Sequence, residues 1–566
     1  MVPLLVTAAL PYANGPLHLG HLAGAYLPAD LYVRYQRLAG RDVVFVCGSD
    51  EHGAAIAIRA RAEGTTPQAI VDRYHEELKG AFERLGISFD VYGRTTSDTH
   101  RQTSQEMFAA IEAAGGFTKR TQRQPFDPEA GMFLADRFIR GTCPVCGYSD
   151  AYGDQCENCG STLAPEDLIE PRSALSGATP VERETAHWYL PLGDMQPALQ
   201  AWIDSAAADW KPNVTGQVRS WLAAGLADRA MTRDLPWGVP VPESVAGDTA
   251  GKVLYVWFDA PIGYVSMTRE WAAAQGDPDL WRRYWQVHPD GTAPDLVHFI
   301  GKDNIVFHCL IFPAILQAMN AASEGAAGTG GTYVLPSDVP ANEFLNLEGQ
   351  KFSTSRGWAV WATDALDAFP TDVLRYALAA GLPETKDTDF TWSDFQNRAN
   401  GELADVVGNF ANRALTFAGR FTDNVVPDLV GPTALETDAL DAVALAVQQV
   451  GAAYEGIRLR EAVALTVGLA RTGNQYLQEA EPWKRRTADP QAMRNAVHVA
   501  LQVTASLSVL LEPVVPEAAA RLRQMLNLTG VRASTPGGPD GLGWHDAARP
   551  LLAAGHTLGT PEILFR

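Results

Sequence analysis

Residues 4–47 constrain the architecture more tightly than any other stretch. An apolar run over residues 4–9 gives way to Pro11, Asn14, Gly15 and Pro16 and then to a helical pattern. That pattern reaches Ala39, stops at Gly40, and is followed by a second apolar run from Val43 to Cys47. Strand, helix, strand is the repeating unit of a parallel sheet. Pro28 lies inside the helical stretch and predicts a kink or a break there. His18 and His21 stand three apart where the helix begins. Free backbone N–H groups at such a terminus attract phosphate, and two imidazoles on one face extend the cradle. Gly20 between them leaves room for a nucleotide base against the backbone.

The second strand runs into GSDEHG, a loop at its carboxyl end. Ligands of open parallel sheets bind at that edge where the strand order reverses, so Asp50 and His52 are expected to face the same crevice as His18 and His21. Asp50 also fits as a cap for a helix starting at Ala54, a role compatible with a ligand contact. From about Gly116 to Pro236 the strand–helix alternation lapses and a cysteine cluster appears, which reads as an insertion. Alternation resumes at KVLYVWFDAPIGYV, where Trp257 and Tyr264 lie beside an Asp-Ala-Pro turn. A buried strand over residues 296–300 and a helix to Leu316 follow. Residues 321–331, rich in Ala, Gly and Ser, read as a surface loop. Beyond Gly401 the pattern is almost wholly helical.

The 566 residues suffice for roughly three or four domains. Hydrophobic residues make up 46% and charged residues 20%, which excludes a disordered or fibrous chain. The 45 Lys and Arg against 66 Asp and Glu leave a formal charge of −21. Such a field repels polyanions on average, so nucleic acid must be met by local basic patches. MVPLLVTAAL lacks a basic leader and a small-residue cleavage site and reads as the first strand. Residues 496–511 carry His498, Gln502, Thr504, Ser506 and Ser508, which suits a buried bundle helix better than a membrane span. A cytoplasmic protein with reduced thiols is expected.

Four of the six cysteines form Cys143-x-x-Cys146 and Cys156-x-x-Cys159, each pair followed by glycine. Two such turns aim four thiolates at one point, the set that tetrahedral Zn2+ takes with no position left open, so the site is structural. Two disulfides are the alternative, and they conflict with a reduced compartment. A structural zinc contributes about 10 to 16 kcal/mol to local folding, enough to hold a small insertion. Cys47 and Cys309 sit in apolar runs as plain buried residues.

KFSTSRG places Lys351 and Arg356 around Ser353, Thr354 and Ser355 on a loop after a glycine turn. Mobile cations of this kind neutralise charge on a transferring triphosphate. In GKDNIVFH, Gly301 lets the backbone approach a ligand and Asp303 can accept from ribose hydroxyls. No GxxxxGK[ST] loop is present, so a nucleoside triphosphate would be held in this other manner.

Together these stretches resemble the class I aminoacyl-tRNA synthetases, and within them the methionine family. HLGH at 18–21 resembles the class's first signature and KFSTS at 351–355 its second, while AALPYANG, GSDEHG, YVWFDAPIGY and FIGKD match the methionine family in order. One departure is Thr354, where the family usually has lysine; Lys351, Lys302 or Arg356 is left to take its share of the charge.

The resemblance implies an α/β fold. A Rossmann-like parallel-sheet catalytic domain carries a zinc-binding insertion and precedes an all-α anticodon-binding domain. The expected division is residues 1–115 and 237–330 for the catalytic halves, 116–236 for the insertion, 331–400 for the KFSTS loop and stem-contact region, and 401–566 for the helical domain. It implies ATP binding by His18, Gly20, His21, Gly301, Asp303, Lys351, Ser353 and Thr354, with His18, His21, Lys351 and Thr354 catalytic and Mg2+ on the triphosphate. L-Methionine falls to Ala9, Leu10, Tyr12, Trp257, Ala260, Pro261, Tyr264 and His308, with Asp50 holding the ammonium group. Aromatic walls suit a thioether, each sulfur–aromatic contact giving about 0.3 to 1.5 kcal/mol.

In the helical region, Leu403, Val407, Phe410, Ala414 and Phe417 form an apolar stripe that leaves Asn409 and Arg413 on another face. With Trp483 they match the family's anticodon readers, beside a basic patch of Lys484, Arg485 and Arg486. The implied partners are ATP, methionine and tRNA(Met), the initiator included, with no membrane. The chain ends at Arg566 without the appended module of some relatives, so a monomer is expected.

Overall fold

The computed structural model describes residues 2–134, 138–153, 156, 158–159, 161, 163, 167–245, 247, 249–325, 331–353, 357–532, 534–535 and 541–565. Its centre is a five-stranded sheet. Strand Leu4–Ala8 pairs in parallel with Val43–Ser49 on one side and with Asp295–Gly301 on the other. Val91–Arg94 and Ala341–Asn342 close the two edges, also in parallel. The strands run outward in chain order in one direction from Leu4–Ala8, and the fourth lies on its opposite side. The order therefore reverses between Leu4–Ala8 and Asp295–Gly301, and the segments leaving these two strands open a crevice at their carboxyl ends.

The helix after the first strand is broken as Pro28 requires. Leu19–His21 is one α-turn, Leu22–Tyr26 widens to π geometry, and Pro28 falls in the first turn of Leu27–Leu38, where a missing N–H costs little. All twelve residues of Leu27–Leu38 are buried. Asp30 pairs there with Arg34 at 2.8 Å and with Arg375 at 2.7 Å. Arg375 also donates to the carbonyls of Pro513 and Val514, which ties the helix behind the histidines to the helical region.

Within residues 116–236, ten-residue strands Thr118–Asp127 and Val181–Leu190 form an antiparallel ladder, and the small sheet of Ile139–Thr142, Ala151–Tyr152 and Ile169–Ser173 carries the cysteine turns. Alternation does not lapse entirely, because helices Leu192–Ala206 and Pro212–Ala224 follow. After Gly401 come helices Asn409–Phe421, Ala434–Glu455, Leu459–Ala480, Pro490–Leu510 and Pro516–Met525. The helical reading fails past residue 526. There, among the described residues, the chain is irregular apart from one short turn that buries Trp544 against Tyr35 and Tyr454.

Two other expectations are overturned. Residues 256–274 are one helix, so Asp259, Ala260 and Pro261 form no turn; Pro261 sits inside a helix whose buried face is set by packing. Residues 321–325 extend helix Phe312–Gly325 where a loop was expected, because alanine favours helix. Residues 496–510 are buried throughout, as expected; among the described residues the helical stretch long and apolar enough to span a membrane by composition is Lys302–Glu324, and most of its apolar window lies inside the fold.

Candidate active site

Two cavities adjoin at the crevice and share Ala9, Leu10, Tyr12, Asn14 and Asn304. The smaller, about 430 Å³, is lined by Ala9, Leu10, Tyr12, Asp50, Trp257, Ala260, Pro261, Tyr264 and His308, so residues from four separate parts of the chain converge on one pocket. Asp50 emerges from the second strand and is fixed through its backbone, its N–H donating to the Pro11 carbonyl at 2.9 Å and its own carbonyl accepting from Ala13 at 2.8 Å. Burial and the nearby Asp259 carboxylate push its carboxyl well above the usual range. It caps no helix: Gly53 holds that position, at φ +108° and with its Cβ direction only 2.7 Å from the Tyr12 hydroxyl, so no larger residue fits. At the pocket's far end, His308 Nδ1 donates to the Asn304 carbonyl at 3.1 Å, which leaves Nε2 to accept from the Tyr264 hydroxyl at 2.9 Å. Burial lowers this imidazole to about 4, in keeping with that neutral tautomer.

His52 does not face the crevice. It turns under the pocket, its Nδ1 2.5 Å from Asp259 Oδ2, in a buried cluster with His100. The bond links the loop that carries Asp50 to the helix that carries Ala260 and Pro261. Sequence reasoning missed this pairing, since nothing at 52 or 259 signals a contact across 207 positions.

The larger cavity, about 840 Å³, is lined by His18, Gly20, His21, Gly301, Asp303 and Lys351, together with Arg59. His18 caps the short helix. Its Nδ1 accepts the His21 N–H at 3.3 Å, while the His18 N–H donates to His21 Nδ1 at 3.1 Å, and the two rings stack with centroids 3.7 Å apart. With both Nδ1 atoms accepting, a neutral ring carries its proton on Nε2, the donor each has left to offer. Burial, with the neighbouring His21, lowers His18 to about 3. His21 reaches cleft solvent, yet the surrounding protein lowers it to about 4. Both are therefore neutral donors at physiological pH.

Gly20 lines this cavity and also meets a packing need. A Cβ there would lie 3.0 Å from the His18 ring and 3.2 Å from Phe352, so the glycine admits these stacked rings, whose centroids are 4.6 Å apart. At Gly301 a Cβ would meet nothing within 4 Å, and a side chain would project into the cavity. Ser353 does not line the cavity; its backbone pairs with Trp358 in both directions at 2.9 Å. Thr354, Ser355 and Arg356 lie outside the described residues. Lys302 is committed elsewhere, to Glu343 at 2.6 Å and Asp387 at 2.9 Å.

The model of the family described as tRNA synthetases class I (M) matches residues 4–415, and that of the anticodon binding domain of methionyl tRNA ligase matches residues 426–566. The chain belongs to the methionyl-tRNA synthetase family. It is similar to the methionine–tRNA ligase of Salinibacter ruber, 58% identical over 100% of this chain and 79% of that one. The ligase of Chlorobaculum tepidum is 52% identical over 99% and 78%. A Mycobacterium tuberculosis methionyl-tRNA synthetase structure bound by methionyl-adenylate superimposes with a TM-score of 0.79 at 25% identity, each chain covered in full.

Two more groups of this family member bear on function. Cys143 Sγ lies 3.9 Å from Cys159 Sγ, and Cys146 Sγ lies 3.6 Å from Cys156 Sγ. A tetrahedral ion with metal–sulfur bonds of about 2.3 Å sets its sulfurs about 3.8 Å apart, so the four thiols fit one zinc. In the helical region Asn409 is exposed and Arg413 half-buried one turn on. The Arg413 guanidinium lies 5.6 Å from the Trp483 ring centre, with Phe417 5.8 Å from the same ring. The basic patch is weaker than its sequence suggests, because Lys484 pairs with Glu481 at 2.7 Å.

Proposed function

We infer that this chain activates L-methionine with ATP to methionyl-adenylate and transfers the methionyl group to tRNA(Met), the initiator included. The observation that carries the reading is the shared wall between an aromatic pocket containing one carboxylate and a larger cavity containing paired neutral imidazoles. The ammonium group pairs with Asp50, and the thioether lies among Tyr12, Trp257, Tyr264 and His308. Pairing with a cation draws the raised Asp50 carboxyl into its ionised form. The carboxylate of methionine is then presented across the shared wall to the α-phosphate.

One carboxylate oxygen forms a bond to α-phosphorus as the α–β bridging bond breaks, and pyrophosphate leaves with that electron pair. A carboxylate nucleophile needs no general base, so the residues act by positioning and by stabilising charge. His18 and His21 donate from Nε2 to the phosphate oxygens, and Lys351 neutralises the departing pyrophosphate. Gly301 admits the nucleotide and Asp303 accepts from ribose. Ser353 and Thr354 belong to the same loop as Lys351, and Thr354 cannot replace a lysine's charge. Mg2+ bound to the triphosphate supplies further charge neutralisation. The four cysteines Cys143, Cys146, Cys156 and Cys159 hold one Zn2+ with all positions filled, a structural role.

Asn409, Arg413 and Trp483 read anticodon bases by hydrogen bonds and stacking. The division into residues 1–115 and 237–330, 116–236, 331–400 and 401–566 is proposed to match these roles, in a monomeric cytoplasmic enzyme. The test is methionine-dependent exchange of labelled pyrophosphate into ATP. Exchange with methionine and not valine supports the reading, and exchange without any amino acid, or none at all, refutes it.

A further inference from the structure

Among the described residues lining the larger cavity, the basic side chains are Lys351 and Arg59. Arg59 comes from helix Ala54–Ala62, whose first residues, Ala54 and Ala55, border the methionine pocket. The guanidinium is held in place on three sides. Its Nη1 donates to the Asn14 carbonyl in the segment that leads to His18, its Nε donates to Glu63 at 2.7 Å, and it lies 4.7 Å from the Tyr74 ring centre. Nη2 makes no hydrogen bond within the described residues. Glu63 is shared with Arg73 at 2.8 Å, so the trio keeps a net positive charge. Lys302, the other nearby cation, is neutralised by two carboxylates.

We propose that Arg59 is a second phosphate-facing catalytic cation of this site, donating from Nη2 to the β- and γ-phosphate oxygens as pyrophosphate departs. The proposal rests on the assignment of the 840 Å³ cavity to the triphosphate. Its chemistry follows from the step already written: when the α–β bridging bond breaks, its electron pair stays on pyrophosphate, and a fixed N–H donor beside that charge lowers the barrier. A planar fork anchored through Nε and one N–H of Nη1 keeps Nη2 and the second Nη1 N–H free to donate, and its orientation is already fixed, so little ordering is required when phosphate arrives. Arg59 thereby meets the need left by Thr354, on a different element from Lys351.

The test is single-turnover adenylate formation, with release of pyrophosphate followed on the full chain. Arg59→Ala slows formation by about 10- to 100-fold, the range for loss of one partly solvated donor to developing charge. Arg59→Lys keeps the charge and recovers most of the rate. Inhibition by inorganic pyrophosphate weakens in Arg59→Ala while the KM for methionine stays within about twofold, as expected for contacts confined to the phosphates. Transfer from preformed adenylate to tRNA is unchanged. Wild-type formation by Arg59→Ala overturns the proposal, as does an equal loss in formation and transfer, which would place Arg59 at the tRNA end. His18→Ala with His21→Ala is run alongside. If that pair too leaves formation intact, the cavity assignment itself has failed; if it abolishes formation while Arg59→Ala does not, only the role of Arg59 falls.

Discussion

Replacing Asp50 with asparagine is expected to move activity and stability in opposite directions. The side chain has the pocket's one carboxylate, and its polar contact within the protein is a 3.4 Å bond from the His52 N–H. Asparagine keeps an acceptor there and removes the charge proposed to face the substrate ammonium. Removing one member of a buried charge pair costs about 2 to 5 kcal/mol, which raises the KM for methionine about 30- to 5,000-fold. The KM for ATP is set in the other cavity and changes little.

Stability responds the other way. Burial and Asp259 raise the Asp50 carboxyl in the folded chain, so the fold binds that proton more tightly than the unfolded chain does. Its ionisation therefore weakens the fold as pH rises from the ordinary carboxylate range through the raised value. Asp50→Asn escapes this cost, so its Tm at neutral pH exceeds that of wild type and the difference shrinks as pH falls. In wild type the KM for methionine rises as pH drops through the raised value, because a protonated carboxyl cannot pair with ammonium; in the variant this dependence is lost. Pyrophosphate-exchange kinetics and thermal denaturation across pH measure both effects. An unchanged KM, or a lower Tm at neutral pH, would refute the reasoning.

Gly53→Ala is expected to destabilise the chain by about 1 to 3 kcal/mol through its positive φ and to weaken methionine binding by displacing Tyr12; Tm and KM report the two effects. Trp483→Ala should slow charging of tRNA while leaving pyrophosphate exchange nearly intact, and equal losses in both assays would remove Trp483 from anticodon contact. Purified protein should hold one zinc per chain by elemental analysis, lost in Cys143→Ala; a metal-free wild type would rule out the thiolate site.

What could be read from the chain follows from how local each signal is. The first strand, its turn and the paired histidines were legible because apolar runs and Pro, Asn and Gly act within a few residues. The cysteine set was legible because two short spacings state its geometry. The pocket proposed for methionine is spread from Ala9 to His308, and only resemblance gathered it before the sheet topology did. His52 and Asp259 were misjudged because their pairing depends on a helix read as a turn: Pro261 argues locally for a break, and tertiary packing overrides it. Residues 321–325 went the same way, since small residues suit loops and helices alike. Arg59 carried no signal, as an arginine on a short helix looks the same whether it faces solvent or a phosphate.

Two neutral, stacked imidazoles at the start of a broken helix are proposed to stabilise the reacting phosphate beside the adjoining pocket proposed for methionine. Single-turnover formation of methionyl-adenylate by the chain carrying both His18→Ala and His21→Ala, paired with equilibrium dialysis of methionine, tests it most directly. Formation is expected to slow by at least about 100-fold, from the loss of preorganised donors to developing charge, with methionine binding unaltered. Formation at the wild-type rate would contradict it.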